Sequence, residues 1–245
     1  RDIGMTKPDG SLMKRSLIFG AKNHLTTTMQ LANFRIDQLF VGSIAGNAQL
    51  GIYANAVAFS ETMFYLPQAI AQVLRPDLIR SKNEDAAKLA AQGLRISFII
   101  LGVVGGAIIV LAPYLLEFAF GKEALEGTLM LRILIVGALG IAATKLCSTA
   151  LSSRNYPFAS AIPIGISMVL TVVLDILLIP ELGGKGAAIA STSAYLLAGF
   201  SVMFVFARTF KVPMSLMIPR ASDVRLILEP LKDLRSRLRS RGDRS

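Results

Sequence analysis

The sequence has very few of the residues that build crosslinks, metal sites or a charged surface. It contains one cysteine, Cys147, and one histidine, His24, and only 17% of its 245 residues are charged. A single cysteine excludes an intrachain disulfide and offers no metal-ligand spacing, so we expect no redox role, metal or cofactor. We expect Cys147 to be a small buried apolar residue and His24 to be a hydrogen-bonded interior residue.

Apolar residues are abundant instead, at 53% of the chain. Several apolar runs reach the about 20 residues that a helix needs to cross the hydrocarbon core of a bilayer. The runs do not alternate as barrel strands do, so the pattern predicts an all-α integral membrane protein with a six-transmembrane-helix bundle. The predicted spans are residues 16–44, 51–74, 96–120, 128–151, 157–180 and 186–207.

The basic residues are unevenly distributed between the loops. Twenty lysines and arginines lie beyond the span ends on one side, whereas the opposite loops contain only Lys122 and Lys185. The positive-inside rule therefore predicts that both termini are cytoplasmic. Because the basic residues are interleaved with membrane spans, we expect anionic membrane lipids, and not nucleic acid, as their partner.

Three segments are predicted along the chain: a cytoplasmic N-terminal segment (1–15), a six-helix transmembrane lobe (16–210) and a basic cytoplasmic tail (211–245). Apolar residues recur at helical spacing within 222–240, which predicts an amphipathic helix on the membrane surface. Pro230 interrupts that pattern and leaves a partly disordered tail as the alternative. Since the chain begins with Arg1 and not Met, we expect it to be a fragment or processed piece.

The stretch NFRIDQLFVG (33–42) places two charges inside the first predicted span, where ionised groups are costly. Arg35 and Asp37 are two residues apart, which turns a helix by about 200 degrees, so each needs a partner elsewhere. Polar residues on both faces predict an inner helix that does not face lipid. One face carries Lys22, Thr26, Gln30, Asn33 and Asp37, and the other carries His24, Thr28 and Arg35.

Two further spans have one polar side. Glu61, Tyr65, Gln68 and Gln72 share a face of the second span, and Ser160, Ser167, Thr171 and Asp175 share a face of the fifth. The hydroxyl groups fit interhelical hydrogen bonds, whereas a carboxylate such as Asp37 or Glu61 is a costly packing contact and more readily indicates function.

Other residues inside the spans have simpler interpretations. Lys145 and Arg132 lie near opposite ends of the fourth span, from which both can snorkel to the interface. Gly102 and Gly106 form a small-xxx-small pair that predicts close helix packing. Prolines at 67, 113 and 163 are expected to bend their spans or to be ordinary membrane-helix prolines.

The loops are too short to build an active site, and they lack a paired His and Asp or a DxD-like acidic motif. We therefore expect a transporter or channel and no enzyme. The run FRIDQLFVGSIAGNAQLGIYANAVAFSETMFYLPQAIAQVLRPDLIRS (34–81) resembles bacterial polysaccharide flippases, the Wzx-like branch of the multidrug/oligosaccharidyl-lipid/polysaccharide exporter (MOP) superfamily. Matching features are Asp37 before LFVG, LGIYANA (50–56), VLRPDL (73–78) and the turn LSSRNYP (151–157).

The resemblance implies one lobe, the C-terminal one, of a MATE-like two-lobed transporter of about twelve helices. Such proteins carry undecaprenyl-diphosphate-linked oligosaccharide across the bacterial inner membrane by alternating access, and the partner would be a missing N-terminal lobe. On this hypothesis Lys22 and Arg35 bind the diphosphate, Asp37 and Glu61 serve the coupling ion or proton, and the sugar hydroxyls bind Asn33, Tyr65, Gln68 and Gln72.

Two alternatives stay open. One is a multidrug or cation antiporter of the same superfamily, in which Asp37 and Glu61 serve the cation cycle and no diphosphate binds. The other is a membrane scaffold that does not transport, whose basic tail recruits acidic lipid or an assembly partner.

Overall fold

The computed structural model describes residues 35–220, 222 and 223, together with residues 10, 13, 17, 18, 20, 21, 24 and 28. This part of the chain consists of helices and turns and contains no β-strand. Six α-helices follow one another: α1 Ile36–Ile44, α2 Gly46–Arg80, α3 Asn83–Phe120, α4 Thr128–Ser153, α5 Ala161–Leu182 and α6 Gly184–Phe210. Short 3-10 helices cover Lys122–Gly127, Pro157–Ala159 and Met214–Met217.

Four helical segments are long and apolar enough to cross a membrane, judged by length and composition over the described residues. They are Asn83–Phe120, Lys122–Ser153, Pro157–Leu182 and Gly184–Phe210. The 35-residue α2 is not among them, and the predicted first span is described only in part. The all-helical membrane architecture is thus confirmed, while the count of six spans stays a prediction.

Two predicted boundaries are wrong because helices continue through polar residues. α3 begins at Asn83 and not near residue 96, and its first turn holds Glu84 and Asp85, which interact favourably with a helix N-terminus. The predicted outer loop at 45–50 shrinks to Ala45, because α2 already begins at Gly46. Gly46 has a φ of +85°, a conformation that glycine adopts without strain.

Two of the three prolines expected to bend their spans lie inside helices, and the bends themselves stay a prediction. Pro67 lies inside α2 and Pro113 inside α3. Pro163, in contrast, is the third residue of α5, so it lies in the first turn, where a missing N–H removes no helix hydrogen bond. Pro76 in α2 and Pro180 in α5 are further interior prolines.

Helices α4 and α6 pack backbone against backbone through glycines. A Cβ atom on Gly140 would lie 2.1 Å from the carbonyl oxygen of Tyr195, and one on Gly199 would lie 2.6 Å from the carbonyl oxygen of Gly140. The prediction that Gly102 and Gly106 on α3 pack closely against a neighbouring helix is wrong for the described residues, because a Cβ on either glycine would meet nothing within 4 Å. The α3 glycine that does pack is the buried Gly105, against Ile135.

Two apolar clusters hold the bundle together. One surrounds Leu78, Leu94, Leu146 and Phe206 and contains Cys147, which is buried as predicted. The other lies towards the opposite end of the bundle, near the beginning of α2 and α4, and its members include Val41, Tyr53, Leu131 and Ile179. The second cluster surrounds the buried polar residues described below, so those residues lie in a low-dielectric setting.

The chain after α6 folds back onto the end of α3. Lys211 ends α6 in a left-handed conformation, and the fully buried Met217 packs into the first cluster. Arg95 on α3 donates from Nε and Nη2 to the two oxygens of Asp223 at 2.8 and 3.1 Å, and from Nη1 to the carbonyl of Leu216 at 2.7 Å. The Arg95 hydrogen bonds, aided by the backbone N–H of Arg220, hold the pKa of Asp223 below its usual value although burial raises it.

The predicted amphipathic segment at 222–240 lies outside the described residues except for Ser222 and Asp223. Its surface location therefore stays a prediction. The structure does show that the beginning of this segment is held against α3, because Asp223 forms an ion pair with Arg95.

Candidate functional site

Asp37 is fully buried and lies at the centre of a hydrogen-bond network that joins three helices. The hydroxyl of Tyr53 on α2 donates to Oδ2, and Ser191 Oγ on α6 donates to the same oxygen at 2.9 Å. The N–H of Gln38 donates to Oδ1 at 2.7 Å. Both oxygens of Asp37 therefore accept hydrogen bonds, which is what stabilises a carboxylate away from water.

Local sequence explains why these groups meet. Asp37 lies in the first turn of α1, where a carboxylate is favoured by the helix dipole. Ser191 and Tyr195 are four residues apart on α6 and so share a face, and Tyr195 also shares a hydrogen bond with Ser191. Small residues beside them, such as Ala187 and Ala194, are fully buried and let α6 approach closely.

Asp175 on α5 is the second buried carboxylate of this region. It is fully buried, and neither of its oxygens has a hydrogen-bond partner among the residues that the structure describes. It interacts electrostatically with Asp37, because α1 packs directly against α5. Two carboxylates that share a site cannot both ionise cheaply without a proton or cation between them. Asp175 is therefore suited to gain and lose a proton or cation.

The face of α5 predicted from sequence is confirmed as an inward face. Its members Ser160, Ser167, Thr171 and Asp175 all have no exposed surface. The hydroxyl of Ser167 donates to the carbonyl of Ile164, and that of Thr171 donates to the carbonyl of Ser167. These bonds to the helix backbone fit the packing role that the sequence suggests for the hydroxyl residues.

Arg35 and Glu61 form an ion pair at 3.2 Å between Nη2 and Oε2. The Arg35 side chain is 60% exposed and the Glu61 side chain is 26% exposed, so this pair lies at an open edge, unlike Asp37. Arg35 thus finds its partner on α2, while Asp37, two residues later, points into the bundle. This arrangement agrees with the prediction that the two charges point in different directions and need separate partners.

The remaining predicted substrate residues on α2 lie along its accessible side. Tyr65 is 73% exposed, Gln72 is exposed and Gln68 is half-buried. A tyrosine and two glutamines in a row are unfavourable against lipid, so this side of α2 suits a water-filled cavity or a polar partner. Lys22 and Asn33 lie outside the described residues, and their part in the site stays a prediction.

Three buried polar residues of this region have no site role in the prediction from sequence: Tyr53 and Ser191, which it does not single out, and Asp175, which it places only on the polar face of the fifth span. Tyr53 and Ser191 resemble many other tyrosines and serines of membrane helices, and their separations of 16 and 154 residues from Asp37 give no local signal. Asp175 could have been selected, because the rule that identifies Asp37, a carboxylate well inside an apolar run, applies to it equally.

Comparison with known proteins identifies the architecture. Residues 6–127 match the model of a polysaccharide biosynthesis protein family. The chain is 29% identical over 177 residues to an uncharacterized membrane protein of Methanocaldococcus jannaschii. This match covers 69% of this chain and 41% of that protein. The chain therefore spans less than half the length of this relative.

Two solved transporters have the same fold. One is a multidrug resistance MATE family transporter of the MOP superfamily in an outward-facing conformation, with a TM-score of 0.61, 20% identity and coverage of 85% of this chain and 49% of that chain. The other is a MOP superfamily transporter from Pyrococcus furiosus, whose binding pocket is described as having reversed polarity; here the TM-score is 0.62, the identity 18%, and the coverage 83% and 48%.

The chain therefore spans about half the length of each solved transporter. The family match and the shared fold agree with each other and with the resemblance seen in the sequence: this membrane protein is similar to the Wzx-like, flippase-type proteins of the MOP superfamily.

Proposed function

We propose that the chain is the C-terminal lobe of a flippase that moves undecaprenyl-diphosphate-linked oligosaccharide across the bacterial inner membrane by alternating access. The polysaccharide biosynthesis family supports the substrate class, and the half-length match to two-lobed transporters supports a missing N-terminal lobe as partner. Both termini are cytoplasmic in this proposal, where the basic residues contact anionic lipids.

The observation that carries the proposal is the buried pair of carboxylates, Asp37 and Asp175. Asp37 is held by Tyr53 and Ser191, whereas Asp175 has no hydrogen-bond partner in the described structure. A carboxylate without a partner in an apolar bundle is costly and persists where it binds and releases a proton or cation. Asp37 is thus the fixed member of the coupling site and Asp175 the exchangeable one.

Glu61 has a different part in the cycle. It holds Arg35 at 3.2 Å at the open edge, so the guanidinium is balanced when no substrate is bound. A diphosphate carries more negative charge than one carboxylate and can compete for Arg35 by bidentate hydrogen bonds. Glu61 would then be released from Arg35 and left as an unpaired carboxylate. Substrate binding would in this way change the charge near the carboxylates that bind the coupling ion.

The sugar would lie along the accessible side of α2. Tyr65, Gln68 and Gln72 present a phenol and two amides that can hydrogen-bond hydroxyl groups, and Asn33 and Lys22 extend the same set from the preceding segment. Amide and phenol groups both donate and accept, which suits a polyhydroxylated ligand of varied stereochemistry.

Complementation of a strain that lacks its own polysaccharide flippase tests the proposal. The complete protein should restore surface polysaccharide, and D37N, D175N and the double variant K22Q/R35Q should each fail to restore it. D77N is the matched control, because Asp77 is exposed near the end of α2. Normal polysaccharide from K22Q/R35Q would refute the diphosphate assignment, and normal polysaccharide from D37N and D175N would refute the coupling site.

The same strains distinguish the alternatives. The buried carboxylates would serve a drug or cation antiporter equally well, and resistance to cationic drugs without rescue of polysaccharide would identify that function. A scaffold would tolerate loss of every interior charge and fail when residues 224–245 are removed.

A further inference from the structure

Lys145 is a cation placed well inside α4. The helix ends at Ser153, eight positions further on, so Lys145 lies about 12 Å from that end. This distance exceeds the length of a lysine side chain, so full extension would leave the ammonium short of the helix end, and snorkelling to the interface stays a prediction. Its neighbours Thr144 and Leu146 are buried, and Lys145 itself is half-buried.

Lys145 has no counter-charge in the part of the chain that the structure describes. The three ion pairs there occupy Arg35, Lys88 and Arg95. Two other arginines donate to backbone carbonyls, Arg132 to Ile109 and Arg154 to Ser81. A cation inside a membrane helix is costly unless an anion or water reaches it, so Lys145 is a functional candidate.

Hydroxyl groups continue from Lys145 towards the predicted cytoplasmic end of α4. Ser148 and Ser152 follow at three and seven positions, which places them on the same side of the helix. Ser148 Oγ is buried, with the residue only 9% exposed, and has no hydrogen-bond partner among the described groups. Ser152 is half-buried. In the opposite direction the same stripe continues into the buried Ala138 and Leu131, so it is closed at that end.

We propose that Lys145, Ser148 and Ser152 form a phosphate-binding stripe that receives the diphosphate of the substrate from the cytoplasmic side. This inference rests on the proposed function and names a residue for its anionic headgroup. An ammonium and hydroxyl donors are the groups that phosphate oxygens accept from, and the ligand would satisfy both the unpaired charge and the orphaned Ser148 hydroxyl.

The stripe also provides a second cation, in addition to Arg35, that can bind the diphosphate. Arg35 is balanced by Glu61 at 3.2 Å, so a ligand that binds it must displace a carboxylate. Lys145 has no such competitor in the described structure. It can therefore hold the headgroup before the Arg35–Glu61 pair opens.

Binding of inorganic pyrophosphate to the complete protein, in nanodiscs of neutral lipid, tests the inference by titration calorimetry. K145Q should weaken pyrophosphate binding about tenfold or more, the usual effect of losing a hydrogen bond to a charged group. K145R should stay near the wild-type affinity, and S148A should show a smaller loss than K145Q. K185Q, at an exposed lysine near the opposite helix ends, is the control and should bind as wild type.

Chemical protection provides a second readout that needs no variant. Pyrophosphate should slow acetylation of Lys145 in the wild-type protein, mapped by mass spectrometry, while Lys122 and Lys185 react unchanged. Protection by anionic phospholipid in the nanodisc, without protection by pyrophosphate, would overturn the diphosphate assignment in favour of a lipid contact.

Failure of the inference is distinguishable from failure of the proposed function. If wild type and K145Q bind pyrophosphate equally, or neither binds, the stripe is refuted even where the complete protein restores polysaccharide. If pyrophosphate binding depends on Lys145 but polysaccharide is not restored, the stripe stands as an anion site and the flippase assignment falls.

Discussion

Arg95 and Asp223, 128 positions apart, form a two-pronged ion pair that fastens the segment after α6 to α3. Both side chains are largely removed from solvent, at 11% and 2% exposure. The same arginine also holds the carbonyl of Leu216, so one side chain closes three contacts. The pair is therefore a buried ion pair that stabilises the packing of this segment against α3, and not a surface ion pair.

The variant D223N should lower the free energy of unfolding by about 2 kcal/mol, because it leaves the Arg95 guanidinium with an incomplete set of partners. Thermal unfolding in detergent provides the measurement. E84Q is the control, since the Glu84–Lys88 pair is exposed and its loss should leave the melting temperature unchanged. Equal melting temperatures for D223N and wild type would show that the fastening adds nothing.

This ion pair should also make stability depend on pH in the acid range. The pKa of Asp223 is lowered in the folded state, chiefly by its hydrogen bonds with Arg95, so its contribution is fully present above the unfolded pKa of about 3.9. The contribution is lost as the pH falls through the folded pKa. The difference in melting temperature between wild type and D223N should therefore be constant from pH 5 to 7 and shrink below about pH 4. A difference that persists unchanged at pH 2 would contradict this account.

Substitution of Gly140 by alanine should destabilise the lobe by about 1–3 kcal/mol, because the added Cβ would lie 2.1 Å from the Tyr195 carbonyl and the backbones must separate. G102A is the matched variant on α3, where a Cβ meets nothing within 4 Å. It should unfold at the wild-type temperature or slightly higher, because alanine is the better helix former. Similar effects of the two substitutions would refute the close α4–α6 contact.

The two buried aspartates should respond oppositely in stability. D175N should raise the free energy of unfolding by about 1–3 kcal/mol, because it removes a buried negative charge that has no hydrogen-bond partner in the described structure and is repelled by Asp37. D37N should lower it, because the Tyr53 and Ser191 hydroxyls are arranged around a carboxylate. Both variants should fail in transport, so a stable but inactive D175N is the diagnostic result.

Loss of a single hydroxyl should alter ion coupling without removing the site. Y53F deletes the hydrogen bond to Asp37, and a bond to a charged group is worth about 1.5–3 kcal/mol. The apparent affinity for the coupling cation or proton should therefore change about tenfold, measured as the ion dependence of transport in vesicles. Y114F, at a tyrosine that is 71% exposed on α3, should leave the ion dependence unchanged.

Residues of the site divide into those that the sequence reveals and those that packing selects. Asp37, Glu61 and Arg35 can be predicted because a charge inside an apolar run is costly wherever it occurs. Their partners cannot, because the pairing of Asp37 with Ser191 depends on how α1 and α6 pack, and nothing local records that contact. The ends of the helices are likewise only partly predictable. Hydropathy places the start of α3 near residue 96, whereas the helix begins at Asn83 because it includes a polar stretch before the apolar run.

The direct contact between Gly140 and Gly199 has a mechanical consequence. Side chains can change rotamer to absorb a displacement, but two backbones in contact leave no soft layer between them. We therefore expect helices α4 and α6 to move together as one rigid body in any conformational change. Under the alternating access proposed above, any bending would fall to the other helices, and α2, with prolines at 67 and 76 weakening its backbone ladder, is the element best suited to act as a hinge.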